Sequence, residues 1–471
     1  MQGQDDNTPR GIFVILSTAL ITLIVLSLLP WGDFTNHYLK DFSLLSDLVP
    51  QPDKTYITHE VLDPALENLD DMLAEDADTA SVLPQQPSGA SPEIMLPDIP
   101  DDFEAPTVDG TVLIEDYSSD GSGLAALRRG LQNSSSKTYR IAVIGDSYIE
   151  GDIFTKDIRS MLQEQYGGSG VGYMAAQSQV AGFRQSIGHT ATGWTPTEIR
   201  DMKSDDLRIL SGLYHSGEAG ASVTFKGKSR VPHAGQWTQS TLLFIAPEAG
   251  TITVKESDGY TAQHPVEAST SVQAITVSRS TSEFGFTSDI DGLIVLGVWL
   301  ETPGGIQLDN MSLRGNSGIS HRNLNAAINT QMRSYIDYDL IILEFGINAL
   351  TSEQTDYTSY GKIMGRVINS IRMSYPSATI MLMGIGDRGQ KQGTDVGSMS
   401  TAPAMVRAQR ETARATGSLF WDTRSAMGGK NSVVEWHNRG LINSDYIHLN
   451  HKGGRELAKI FVKSLNTSIS E

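Results

Sequence analysis

The sequence predicts an α/β protein built as a three-layer α/β/α domain, with a β-sandwich inserted in it and a transmembrane helix ahead of it. Three observations predict this. Apolar runs such as Ile141-Ala142-Val143-Ile144 and Leu340-Ile341-Ile342-Leu343 end in glycine-bearing polar segments, as buried parallel strands do where an open sheet builds its site. Such runs alternate with helix-length stretches, the rhythm of βα units. Between residues 184 and 308 the rhythm changes to short alternating runs separated by turn residues, the pattern of a sandwich.

Residues 1–10 read as a tail and residues 11–31 as an anchor. Residues 11–29 are almost continuously apolar, and about 20 such residues in a helix cross a bilayer core. Trp31 stands where an interfacial aromatic belongs. Only Arg10 is basic before the run, and Leu28-Leu29-Pro30-Trp31 offers no small-residue cleavage site, which favours an uncleaved anchor over a secretory signal.

Residues 41–120 hold 20 Asp or Glu and one Lys, which accounts for the whole net charge of −19. With scattered prolines and little periodicity, residues 32–120 are expected to form an acidic, extended linker, with a short helix over residues 64–74. A coil of this kind reaches about 50 Å from a membrane. The rest of the chain is formally neutral, so nucleic acid, which needs concentrated basic residues, is an unexpected partner. The chain has no cysteine, which excludes disulfides, thiolate catalysis and cysteine-based zinc sites.

The globular domain is expected over residues 121–184 and 309–471. Helices are expected at 125–131, 149–166, 323–335, 360–373, 405–416 and 452–465, between strands at 139–144, 339–344, 379–383 and 419–421 and a fifth, giving five parallel strands in flavodoxin-like order. The glycine-rich residues 167–173 lack the ending of a phosphate-binding loop and are expected to form a loop near the cleft. The insert is expected over residues 185–308, with strands at 222–225, 241–245, 251–254, 273–277 and 292–298. Its Trp194, Tyr214 and Trp237 could stack on sugar rings, although core packing is the commoner role for such residues.

Three segments carry chemistry. Ile144-Gly145-Asp146-Ser147 offers a serine, Glu344-Phe345-Gly346-Ile347-Asn348 an amide, and Asp445-Tyr446-Ile447-His448 a base with its own carboxylate. A serine hydroxyl becomes a nucleophile when a base takes its proton and a third group fixes the base's tautomer. Asp445 and His448, three residues apart in one turn, can fill both roles. Oxyanion donors are available from the Ser147 backbone at the start of the expected helix, from Gly315 or alternatively Gly318, and from the Asn348 side chain. Asp146 is expected to brace the nucleophile loop. Arg314, Asp387, Arg388 and Glu435 lie near strand ends, where ion pairs or loop caps are their ordinary roles. His448 and His451 could share a helical face as metal ligands, but no HExxH motif or acidic cluster accompanies them, and no cofactor is implied.

With these residues in view, the chain from about Lys137 to Leu465 resembles the SGNH (GDSL-like) hydrolase family. The four blocks of that family match Gly145-Asp146-Ser147, Gly315 within Arg314-Gly315-Asn316-Ser317-Gly318, Gly346-Ile347-Asn348 and Asp445-Tyr446-Ile447-His448, in the family's order. The third block departs from the pattern, since Ala349 stands where an aspartate is usual. The resemblance implies a catalytic Ser147, Asp445 and His448, with an oxyanion hole from Ser147, Gly315 and Asn348. Peptidoglycan O-acetylesterases in the wider family carry a carbohydrate-module-like β-domain at the same point. The expected function is therefore a membrane-anchored serine esterase, its catalytic domain periplasmic or extracellular, that removes O-acyl groups, acetyl above all, from a cell-envelope or extracellular polysaccharide. The alternatives are an O-acetyltransferase using the same triad, or a non-catalytic glycan-binding envelope protein.

Overall fold

The structure, a computed structural model, describes residues 103–203 and 206–471, with isolated positions Thr18, Thr22, Asp63, Leu66, Leu69, Met72, Met95 and Leu96 before them. The chain divides into two units, residues 1–56 and 57–471. In the first, Thr18 and Thr22 are helical, and the rest of the expected anchor lies outside the described residues. Among the described residues, no helix is long and apolar enough to cross a membrane.

In the second unit, a hairpin of β1 (Thr107–Val108) and β2 (Thr111–Val112) precedes β3 (Glu115–Asp116) and α1 (Ser122–Asn133). Then come β4 (Tyr139–Gly145) and α2 (Thr155–Tyr166). The insert contributes β5 (Gly170–Met174), β6 (Ile187–Glu198), β7 (Leu213–Gly227), β8 (Gln239–Ile245) and β9 (Gly250–Glu256). It continues with β10 (Thr261–Val266), β11 (Gln273–Val277), β12 (Glu283–Ser288) and β13 (Leu293–Glu301). The α/β layer resumes with β14 (Ile306–Ser312), α3 (Ala326–Arg333), β15 (Leu340–Glu344), α4 (Thr358–Ser374) and β16 (Thr379–Met383). A hairpin of β17 (Gly389–Gln392) and β18 (Asp395–Ser398) precedes α5 (Ala402–Thr416), β19 (Leu419–Trp421), α6 (Thr423–Met427), α7 (Ser432–Asn438) and α8 (His451–Ser470).

The α/β sheet runs β14-β4-β15-β16-β19-β3. Its first five strands are parallel, so the expected five-stranded order is present, with β3 added antiparallel at the β19 edge. Side chains alternate across it. Ala142, Ile144, Ile341, Leu343, Ile380 and Leu382 join one apolar core with α4 and α5. Ile141, Val143, Leu340, Ile342, Met381 and Met383 join another with α1, α2 and α8. Strands buried on both faces explain why these runs are apolar throughout. The strand order reverses direction between β4, β14 and β15, and a crevice at such a switch point is where open sheets take ligands.

The insert departs from expectation. In place of two sheets, one hydrogen-bonded sheet follows the path β10-β9-β12-β7-β13-β8-β11, with β6 pairing β7 and β5 pairing β13. Its unity comes from β7, 15 residues long, which pairs β12 through Ser222–Lys226 and β13 through His215–Gly217. The two arms share one core, to which Phe284 and Phe286 contribute from one side and Leu242, Phe244 and Val298 from the other.

Three expected boundaries also shift. β3 belongs to the α/β sheet although it lies before residue 121, because Phe420 and Leu419 offer it an open edge. Residues 150–152 form a separate 3-10 turn ahead of α2, since Gly151 and Asp152 adopt φ of 67° and 63°, which a helix cannot continue through. The glycine-rich residues are not a cleft loop; Gly170–Met174 is a buried strand of the insert. A Cβ at Gly170 would lie 2.2 Å from the Leu300 carbonyl oxygen and one at Gly172 2.1 Å from Asp309 Oδ1, so close approach, not flexibility, demands the glycines.

Asp309 ties the insert to the α/β layer. Its Oδ1 accepts from Tyr173 N at 2.8 Å, and its Oδ2 accepts from Trp299 Nε1 at 2.8 Å and from Tyr338 Oη at 2.6 Å.

Candidate active site

The nucleophile loop begins where β4 ends. Gly145 permits the close passage of β15, since a Cβ there would lie 2.7 Å from the Glu344 carbonyl oxygen. Asp146, fully buried, then turns inward: Oδ1 accepts from Tyr148 N and Oδ2 from Asn348 Nδ2, both at 2.8 Å. Asp146 is thus pinned on both oxygens, and Ser147, 8% exposed, follows it at the end of β4.

The chain brings His448 to it from 301 residues away, with Ser147 Oγ 2.8 Å from His448 Nε2. His448 Nδ1 lies 2.8 Å from Asp445 Oδ2, while Asp445 Oδ1 accepts from Ile447 N at 2.9 Å and His448 N at 3.0 Å. A proton on Nδ1 shared with Asp445 leaves Nε2 free to accept from the serine. Burial works against the Asp445 charge, but the hydrogen bonds from His448 and Ile447 outweigh it and hold the carboxyl below its ordinary range. The turn itself depends on Tyr446, at φ 56°, whose ring stacks on His437 at 4.0 Å and whose carbonyl accepts from Gly389 N at 2.8 Å. The His448 side chain is 28% exposed, so the relay opens to the surface.

The backbone N–H groups of Ser147 and Gly315 make no hydrogen bond to the described residues. Gly315 sits at φ 73°, and its carbonyl accepts from Arg200 Nη1 at 3.4 Å. Gly318, the alternative, commits its N–H to Asn316 Oδ1 at 2.8 Å. Asn348 holds Asp146 with one amide hydrogen and the Asn316 carbonyl with the other, at 3.2 Å. To serve as a third donor it must release the longer of these bonds. The Ser147 amide does not begin a helix as expected, because α2 starts at Thr155.

Beneath the loop, burial raises Asp146 to about 7, and burial together with the nearby Asp146 charge raises Glu344 well above its ordinary value. The remaining polar residues are structural. Arg388 donates to the Ile347 and Leu350 carbonyls at 3.1 and 3.0 Å, bracing the loop that carries Asn348. Arg314 pairs with Glu150, Asp387 accepts from Ser398 Oγ and Arg424 Nε, and Glu435 pairs with Arg439. In the insert, Trp194 packs on Phe286 with Nε1 bonded to the Ser222 carbonyl, and Trp237 is buried with Nε1 bonded to Ser240 Oγ. Tyr214 packs against the α/β core. Neither tryptophan is a sugar platform. Among the described residues, no group of three or more His, Asp or Glu could hold a metal ion.

Sequence reasoning missed two residues here. The Asn316 amide nitrogen is buried with no partner among the described residues, in the residue whose backbone carbonyl accepts from the Asn348 amide. Asp63, far back in the linker, reaches the same loops.

No family model and no curated protein matches the chain. Among solved structures, it is similar to a peptidoglycan O-acetylesterase, with a TM-score of 0.63 and 24% identity over 76% of this chain and 99% of that one. A family two carbohydrate esterase from Cellvibrio japonicus is matched with a TM-score of 0.27 and 12% identity, over 60% of this chain and 98% of that one. An acetyl xylan esterase is matched with a TM-score of 0.27 and 16% identity, over 34% and 81%. The chain shares the fold of the peptidoglycan O-acetylesterase across nearly the whole of that protein.

Proposed function

We propose that the chain is a serine esterase that removes O-acetyl groups from a cell-envelope polysaccharide, peptidoglycan first. Ser147 Oγ attacks the ester carbonyl as His448 Nε2 takes its proton, and Asp445 steadies the imidazolium. The backbone amides of Ser147 and Gly315, with the Asn348 amide, receive the oxyanion. The intermediate collapses to an acyl-serine, the C–O bond to the sugar breaks, and His448 returns its proton to the departing sugar oxygen. Water, deprotonated by His448, then releases acetate and restores Ser147.

The observation that carries this reading is the continuous relay of two 2.8 Å contacts from Ser147 through His448 to Asp445. The partly exposed His448 favours hydrolysis over transfer, because an acyl-enzyme open to solvent meets water first. The polysaccharide is taken from the fold shared with the peptidoglycan O-acetylesterase. We place residues 11–31 in a membrane as a single anchor, with the esterase domain on its outer face.

The test is acetate release by the full chain in detergent from isolated O-acetylated peptidoglycan, set beside acetylated xylan and a Ser147→Ala control. Release from peptidoglycan that is lost in the variant is expected. Equal release by the variant removes Ser147 from the reaction, and a preference for xylan moves the substrate.

A further inference from the structure

The acidic segment ahead of the α/β domain reaches the active site. Asp63 is 1% exposed, and its Oδ2 accepts from Ser317 N at 2.9 Å and Ser317 Oγ at 2.8 Å. Its own backbone N–H donates to the Asn348 carbonyl at 3.2 Å. One residue thus joins the loop after β14, which carries Gly315, to the loop after β15, which carries Asn348.

The contact is anchored on both sides. Ser317 is held from behind by Tyr360, whose hydroxyl donates to its carbonyl at 2.9 Å. Beyond Asp63, Leu66 N donates to the Asp63 carbonyl, and Leu66, Leu69 and Met72 pack on the same core as α4. Arg366 of α4 donates to the Met72 carbonyl at 3.0 Å. Apolar residues three apart share one face of a helical turn, which is how this piece of an acidic stretch finds a partner. Burying a carboxylate is costly unless donors meet it, so a spacer without a task has no cause to place one here.

We propose that Asp63 is a positioning residue for the oxyanion hole, and that its contacts, backed by the packing of Leu66, Leu69 and Met72, act as a strap fixing the Gly315 and Asn348 loops relative to each other. The proposal rests on the esterase reading above. The two loops leave different strands, and their donors must converge on one oxygen that carries charge only in the transition state. Loosening the strap removes no contact of Ser147, His448 or Asp445 themselves but lets the donors drift apart. The effect therefore falls on kcat, with little on KM.

The test uses the full chain in detergent, comparing wild type with Asp63→Ala, Asp63→Asn and Leu69→Ala. Two readouts are kinetics on p-nitrophenyl acetate and hydrogen exchange of the Ser317 amide. For Asp63→Ala, kcat should fall by roughly 10- to 100-fold with KM within about twofold, as for a donor displaced by a fraction of an ångström to an ångström. Ser317 exchange should be at least about tenfold faster. Asp63→Asn, which keeps one carbonyl acceptor, should recover part of both losses, and Leu69→Ala, a change in neither loop, should weaken both. Should Asp63→Ala fail to fold, the other two variants carry the same comparison. Unchanged kcat in folded variants of an active enzyme overturns the strap, as does a loss confined to KM. A wild type without turnover sinks the esterase reading instead; Ser317 exchange then decides the strap alone, and unaltered exchange overturns it.

Discussion

Asp146 Oδ2 accepts from Asn348 Nδ2 at 2.8 Å, joining the nucleophile loop to the loop after β15 across 202 residues of sequence. Because the other Asp146 oxygen holds Tyr148 N, a shift of Asn348 is transmitted to the turn that presents Ser147. The two residues act as one unit. Asn348→Ala should lower kcat by about 100- to 1000-fold, the cost of an oxyanion donor. Asp146→Ala should cost a similar factor, and the double variant should be little worse than either. A double-mutant cycle on p-nitrophenyl acetate checks this, and additive losses would separate the two roles.

The relay predicts its own hierarchy. Ser147→Ala and His448→Ala should each lower kcat by about 10⁴- to 10⁶-fold, and Asp445→Ala by about 10⁴-fold, since residues that act together fail together. Labelling by a serine-directed phosphonate, read by intact mass, should vanish in Ser147→Ala and slow sharply in His448→Ala.

The buried acids predict a pH dependence of stability. Burial raises Glu344 above its ordinary 4.5 and Asp146 to about 7. The folded chain therefore keeps protons that the unfolded chain has already released, and stability falls as pH rises through that window before levelling off above it. Glu344→Gln removes one such group. Its Tm should exceed that of wild type at about pH 8, and the gap should narrow at about pH 5. A gap that widens toward acid would reverse the assignment.

Trp237, 1% exposed, is assigned to the insert core. Trp237→Ala should cost about 3–5 kcal/mol of stability in denaturant unfolding. Binding of the folded variant to insoluble peptidoglycan should match that of wild type. Lost binding with unchanged stability would return the residue to a sugar-stacking role.

The α/β layer and its three site segments were legible because their signals are local. Residues 141–144 and 340–343 are apolar on both faces, and Asp445 with His448 share one turn. The insert was less legible. β10 and β12 contain Pro265 and Gly285, and their burial alternates or mixes, so propensity does not announce them. β5 reads as a loop because its glycines answer to the neighbouring Leu300 and Asp309 and not to their own backbone. The turn at residues 150–152 hides inside a helix-like pattern, since positive φ at Asp152 leaves no mark in hydrophobic period. The contact of Asp63 with Ser317 spans 254 residues. Nothing in the sequence around Asp63 names the loop that it meets.

Asp309 draws on Tyr173 and Trp299 from the insert and on Tyr338 from the α/β layer with its two oxygens. A carboxylate shared in this way acts as a rivet and not as a hinge. A polymer strand lying across both regions would meet Ser147 at a set interval along its length, as cloth meets a needle at a constant distance from the presser foot.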